Sequence, residues 1–207
     1  MSDAPSFRDT LARGVVLPAC PLALTPDRSL DERRQRALLR YYAAAGAGGV
    51  AVGIHTTQFE IHDPETGLLE PVLTLAGEEM DRADAGRDAP LVRIAGAIGE
   101  TDQAVREADL AARLGYHAVL LSLAALAEAD DATLIDHSRQ VAEVMPVVGF
   151  YLQPTIGGRV LSYGFWRQFA EIENVVAIKV APFNRYRSLD VVRAVAEAGR
   201  DDIALYT

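Results

Sequence analysis

Seven short apolar runs, each followed by a stretch of helical pattern, limit what this chain can fold into. The runs cover 15–24, 49–54, 90–96, 117–122, 146–152, 175–181 and 203–207. They are rich in Val, Ile and Leu, are of strand length, and are bounded by Gly, Pro or polar clusters. Helix signals lie between them. Ser29-Leu-Asp-Glu32 reads as a capping box, and Ala37, Leu38, Tyr41 and Tyr42 give the helix behind it an apolar stripe that Gly46 to Gly49 ends. A loop from His55 to about Pro71 precedes an acidic helix near 75–85. Thr101 caps a helix over 102–114, and a further helix spans 131–144. Ser162 caps one reaching about Ile172, and Ser188 caps one that Gly199 closes.

Strands apolar on both faces, joined by helical crossovers, predict a parallel α/β sheet with helices outside. No Gly-x-Gly-x-x-Gly follows the first run, which weakens a dinucleotide-binding open sheet. A strand every 25 to 35 residues or so suits a (β/α)8 TIM barrel of roughly 250 residues. On this reading 1–14 is an N-terminal extension and 15–207 is the barrel domain, incomplete at its C-terminus after about strand seven. An eighth strand and helix are missing, which leaves two sheet edges unpaired.

Composition removes several classes of function. A net charge of −9 without a basic cluster argues against nucleic acid. No apolar run reaches membrane-spanning length, and the N-terminus lacks the order of a signal peptide. The single cysteine, Cys20, forms no internal disulfide and fits a reducing, cytoplasmic setting. Four scattered histidines make no dedicated metal site.

The run Val175-Val-Ala-Ile-Lys179-Val-Ala181 carries the chain's only lysine; the other nineteen basic residues are arginine. Burial disfavours an ammonium and lowers its pKa, and a neutral amine is a nucleophile suited to Schiff-base chemistry. A lysine whose stem is buried while its amine reaches water is the plainer alternative. Alternation along strands puts Val147, Gly149 and Tyr151 on one face and Val175, Ala177 and Lys179 on one face. If both point inward, Gly149 and Ala177 leave room below a tyrosine and an amine near the carboxyl ends of neighbouring strands, where barrel active sites sit. Thr56 and Thr57 at a strand-to-loop junction could hold an anion, or could be ordinary strand residues.

Thr56-Thr57, Tyr151-Leu-Gln-Pro154 and Ala177-Ile-Lys179 in this order, with Tyr151 and Lys179 28 residues apart, resemble the dihydrodipicolinate synthase/N-acetylneuraminate lyase family. Leu24-Thr-Pro26, Ile94-Ala-Gly96 and Leu161-Ser162 add to the resemblance, which runs from about Val15 to Thr207. It implies a class I aldolase-type barrel without a cofactor beyond a covalent imine. Lys179 then forms the Schiff base with pyruvate or a related 2-oxo acid, Tyr151 relays protons, and Thr56 and Thr57 hold the carboxylate. It also implies a homo-oligomer, tetramer or dimer.

Departures narrow the expected activity. The family's Gly-Thr-Thr-Gly-Glu is His55-Thr-Thr-Gln-Phe59 here, so the loop must take a different path or carry bulk at the site mouth. Thr155-Ile156 lacks the arginine that receives the second substrate in dihydrodipicolinate synthases, and Arg159 is displaced from that place. The reading is a lyase or aldolase of another 2-oxo acid rather than the lysine-biosynthesis synthase. A dehydratase of a sugar-derived acid working through the same imine is an alternative, as is an inactive barrel serving as a binding protein. Asn184 and Arg185, after the lysine strand, are candidates for substrate hydroxyls or a far carboxylate. His55 is a candidate acid or base. Arg93 interrupts an apolar strand and needs a carboxylate if it points inward.

Overall fold

The structure is a computed structural model that describes residues 6–54 and 56–207. Two compact units share the chain: residues up to Gly96 with Leu110–Ala118, and Ala97–Asp109 with Val119–Thr207. No helix among the described residues is long and apolar enough to cross a membrane.

In the first unit, α1 (Phe7–Ala12) opens on a capping box between Ser6 and Asp9. Helix α2 (Glu32–Ala44) leads to β1 (Gly49–Val52), and α3 (Leu69–Asp84) leads to β2 (Val92–Ala97). Strands β1 and β2 pair in parallel, Gly49 opposite Val92 through Val52 opposite Ala95. Their ends converge so closely that a Cβ on Gly96 would lie 1.8 Å from the Gly53 carbonyl oxygen, which only glycine permits.

The expected first strand, 15–24, is not one. It runs beside β1 with a single parallel bridge, Ala19 to Ala51, made by the Cys20 amide donating to the Ala51 carbonyl (2.8 Å) and the Ala51 amide to the Pro18 carbonyl (3.0 Å). Pro18 and Pro21 have no N–H to extend that ladder. Ser29 does not cap α2 either. Asp31 does, accepting the Arg34 amide at 2.9 Å, while the Ser29 hydroxyl bonds Asp27 within a turn.

Helices α2 and α3 meet around a charge. The Glu79 carboxylate is only 1 % exposed and receives Arg36 (3.0 Å), Arg40 (2.7 Å) and Arg82 (2.5 Å). The Arg40 hydrogen bond leads in holding its pKa down to about 2, against the cost of burial. Arg93 on β2 finds its carboxylates in the protein, Asp81 and Asp84 of α3, each at 2.7 Å. It is thereby a packing ion pair between strand and helix.

The second unit takes its start from α4 (Thr101–Arg113), which begins in it and ends in the first. Then follow β3 (Ala118–Leu121), α5 (Asp131–Val144), β4 (Val147–Leu152), α6 (Tyr163–Phe169), β5 (Val175–Ala181), α7 (Arg185–Glu197) and β6 (Ala204–Tyr206). All neighbouring strands here are parallel, in the order of the sequence. Ser162 caps α6 as expected, accepting the Phe165 amide at 2.9 Å. Thr101 is the first residue of α4, with its hydroxyl on His137 Nδ1 at 2.9 Å. Asn184, not Ser188, caps α7. The core of this unit is aromatic: Trp166, Phe165 and Phe169 of α6 are buried against one another and against Tyr151.

Glu79→Gln removes the carboxylate that three guanidiniums share, and is expected to lower the unfolding free energy by about 2 kcal/mol. A carboxylate with a depressed folded pKa contributes stability above its unfolded value, and that contribution fades as pH falls through the folded one. In urea titrations the gap between wild type and variant therefore closes from about pH 5 to pH 2.

Candidate active site

Strand β5 is fully buried from Val175 to Ile178 and half-buried from Lys179 to Ala181. The lysine thus stands where a packed strand begins to open at its carboxyl end. Its neighbours follow from an irregular register. Val147 faces Val175, but Val148 faces Ala177, so two residues of β5 answer one of β4. Beyond that bulge Gly149 pairs with Ile178, Phe150 with Lys179 and Tyr151 with Val180. On the other side Tyr206 of β6 pairs with Lys179. Paired residues of parallel strands project to the same face, so Phe150, Lys179 and Tyr206 form one row.

The amine lies 4.9 Å from the centroid of the Phe150 ring. Burial lowers the Lys179 pKa, and no charge among the described residues adds to or opposes that shift. The ring face attracts the ammonium and gives back part of the desolvation cost. The result is an amine beside an aromatic face, with its pKa lowered by burial.

Tyr151 is not beside it. The expected shared face is corrected by the bulge: Gly149 and Tyr151 look toward helix α6, and Lys179 looks the other way. A Cβ on Gly149 would come within 2.7 Å of Phe169, so that glycine makes room for the helix rather than for a ligand. The Tyr151 ring packs 5.2 Å from Trp166. Its hydroxyl donates to the Leu161 carbonyl (3.2 Å) and accepts the Leu161 amide (3.3 Å). Burial raises its pKa, which disfavours the phenolate a proton relay needs.

The threonine pair divides. Thr57 is buried; its hydroxyl donates to the Cys20 carbonyl (2.5 Å) and accepts the Gly53 amide (3.1 Å), and its own amide donates to Ile54. Neither donor is left for a carboxylate, so Thr57 holds the loop instead. Thr56 is exposed. His55 lies outside the described residues. At Gln58, where the family has glycine, the backbone keeps a glycine-like φ of 104°. The substitution has therefore not removed the left-handed turn; it has placed a side chain in it, at a cost on the order of 1–3 kcal/mol.

Asn184 also has a structural task. Its side-chain oxygen accepts the amides of Tyr186 (3.1 Å) and Arg187 (3.2 Å) as the cap of α7. Arg185 is exposed, with its guanidinium 5.2 Å from the Tyr186 ring.

Two residues of interest were not among the expected ones. Tyr206 is the first, visible only once the β5–β6 register is known. The second is Arg159. It lines a small cleft of about 10 Å³ with Ser122, Phe150, Leu152, Gly157 and Gly158. Its Nη1 donates to the Leu126 carbonyl at 2.6 Å, and its Nε is buried without a partner among the described residues. Phe150 belongs to both, lining this cleft and presenting its ring to the Lys179 amine. The signal for it was Gly157-Gly158: a Cβ on Gly158 would lie 2.0 Å from the Leu152 carbonyl oxygen, so two small residues let the chain fold back on the strand end.

The model of the dihydrodipicolinate synthetase family matches residues 14–207. This chain belongs to that family. A 4-hydroxy-tetrahydrodipicolinate synthase of Bifidobacterium longum (strain DJO10A) is 27% identical over 202 residues, 96% of this chain and 61% of the relative. Among solved structures, a prophage protein of the family from E. coli K12, in complex with pyruvate, superposes with a TM-score of 0.76 at 19% identity, covering 91% of this chain and 62% of that one. A monomeric dihydrodipicolinate synthase variant gives 0.77 at 20% identity, with 94% and 63% covered. The chain spans about three fifths of the length of these relatives. The fold they share is the (β/α)8 barrel, and the described residues of this chain follow it through six strands and seven helices.

Gln58→Gly relieves the left-handed strain and is expected to raise stability by about 1 kcal/mol despite the flexibility it adds to the unfolded chain. The midpoint of urea unfolding reads this directly, and a lower midpoint would contradict the strain.

Proposed function

We propose that this family member is a class I lyase or aldolase in which Lys179 forms an imine with pyruvate or a related 2-oxo acid. One observation carries the reading. The sole lysine sits half-buried at the carboxyl end of a parallel strand, with its pKa lowered by burial and no carboxylate among the described residues to keep it charged. The E. coli relative solved with pyruvate supports the choice of substrate class. The neutral Nζ attacks the keto carbon, the carbonyl oxygen leaves as water, and the protonated imine takes up the electron pair of a C–C bond that breaks or is yet to form.

Arg159 is the cation we assign to a substrate carboxylate, because it lines a small cleft together with Phe150 and its Nε has no partner among the described residues. Thr56 is the remaining hydroxyl of the threonine pair, and Asn184 and Arg185 keep only their exposed atoms for a ligand. Tyr151 enters as the clamp on Leu161. The absence of an arginine at Thr155 and Ile156 speaks for a substrate other than that of lysine biosynthesis. Elimination from a sugar-derived acid uses the same electron sink. A reducing cytoplasm suits the one buried thiol, Cys20, whose pKa burial pushes up to about 12. Assembly as a homo-oligomer is part of the proposal and is read by sedimentation.

A second reading, an inactive barrel that binds a partner, is favoured by Tyr151 facing away from Lys179 and by the committed donors of Thr57.

Incubation of the whole protein with pyruvate and borohydride is expected to add one reduced pyruvyl group, confined to Lys179 on peptide mapping. The rate of trapping rises with pH and levels off below the ordinary lysine value of about 10.4. Absence of any adduct, with pyruvate and with sugar-derived 2-oxo acids alike, sinks the enzyme reading. Full biological activity in Lys179→Ala favours the inactive barrel.

A further inference from the structure

In the first unit, far along the chain from Lys179, a histidine has its protonation state fixed by the group it binds. We propose that His117 and Phe7 form a pH-sensitive clasp. It holds helix α1 in place while the imidazole is neutral and loosens the helix when the ring takes up a proton. The inference is independent of the imine reading.

The geometry around the ring supports it. His117 lies just ahead of β3, is half-buried, and exchanges two bonds with Arg93 of β2. Its amide donates to the Arg93 carbonyl (2.9 Å), and the Arg93 amide donates to its Nδ1 (3.1 Å). A backbone amide can only donate, so Nδ1 must present its lone pair and the ring proton sits on Nε2. The imidazole thus serves where a carbonyl would serve in an ordinary ladder. One face of the same ring stacks on Phe7, with centroids 5.1 Å apart and 6° between the planes. Phe7 is the first residue of α1, and Thr10 and Leu11 of that helix are buried. A helix of six residues is marginal in water, so its packing decides whether it forms.

The surrounding charges favour the neutral ring. Burial leads in lowering the His117 pKa, Arg93 of β2 adds to it, and Asp84 of α3 opposes them. Asp84 and Asp81 are both turned to the Arg93 guanidinium, at 2.7 Å each. On α1, Arg8 lies 5.5 Å from the Phe7 ring, Asp9 closes the capping box with Ser6, and Arg13 reaches the Asp9 carbonyl and the Thr10 hydroxyl. Arg113, at the end of α4, is the charged residue nearest to His117 in sequence, and the buried Tyr116 gives its hydroxyl to the Leu73 carbonyl. A proton added at Nδ1 sets N–H against N–H, breaks the bond from Arg93 and turns the ring out of the plane that Phe7 needs. Docking of α1 is therefore strongest above the ordinary histidine value of about 6.5 and weakens as pH falls below it. With one proton linked, the opening constant of α1 rises by at most about tenfold per pH unit. Asp9 is held below the ordinary carboxylate range by Ser6, so the capping box is lost only at lower pH.

The test is hydrogen exchange on the whole protein, read by NMR as protection factors across this pH range. The amides of Thr10 and Arg13, which bond within α1, are expected to lose protection as pH falls below about 6.5, while those of α2 keep theirs. His117→Asn offers an oxygen near the position of Nδ1 and does not titrate, so its α1 protection is expected to be independent of pH. Phe7→Ala leaves the ring in place and, by reciprocity, is expected to raise the His117 midpoint toward the ordinary value, read from the imidazole C–H signals. Constant α1 protection in the wild type overturns the clasp, as does the wild-type pH dependence persisting in His117→Asn. If His117→Asn opens α1 at every pH, the Phe7→Ala midpoint decides: a raised one supports the clasp and an unmoved one overturns it.

Discussion

Beyond Val147, strand β4 faces Ala177 rather than Val176, and the chemistry at the carboxyl ends of these strands depends on that skipped residue. Side chains alternate with a period of two, so one extra residue exchanges the faces of everything after it. Without the bulge, Lys179 would turn to the face of Tyr151, toward α6, and away from Phe150. With it, an aromatic ring lies against the amine, and the tyrosine is built into the core with Trp166. Gly149 follows from the same cause, since the large rings of α6 need the space that a side chain there would fill.

This is also where sequence reading reaches its limit. Apolar runs and caps are local properties, and they gave the second-unit elements well: β4 and β5 lie within the expected runs, α5 has the expected bounds, and Ser162 caps α6. The first run failed as a strand because periodicity does not register the two missing amides of Pro18 and Pro21. Ser29 and Ser188 lost their caps to Asp31 and Asn184, competing acceptors placed a few residues away. Lys179 was legible because it is singular in composition and sits in an apolar run. Its partners were not, because register belongs to pairs of strands. Tyr206 and Arg159 required pairing and a chain reversal that no single stretch of sequence encodes.

The loop after β1 shows how a departure in sequence can leave geometry in place. Gln58 retains a backbone conformation that suits glycine, and Thr57 is tied to Cys20 and Gly53 on either side of it. A loop fixed at one end by a buried hydroxyl and turned at the other by a strained residue has little freedom to reshape around a ligand. The guanidinium of Arg159, by contrast, keeps part of its hydrogen-bonding capacity unused.

The arginine cluster around Glu79 has a further consequence when set beside the single lysine. Small keto acids and sugar-derived carbonyls condense with any accessible primary amine, and a lysine-rich surface exposed to them accumulates glycation damage. Guanidiniums stay protonated at all ordinary pH and do not form such imines. By carrying all its other positive charge as arginine, the protein offers a carbonyl compound one side-chain amine, and so confines such damage to a single half-buried position.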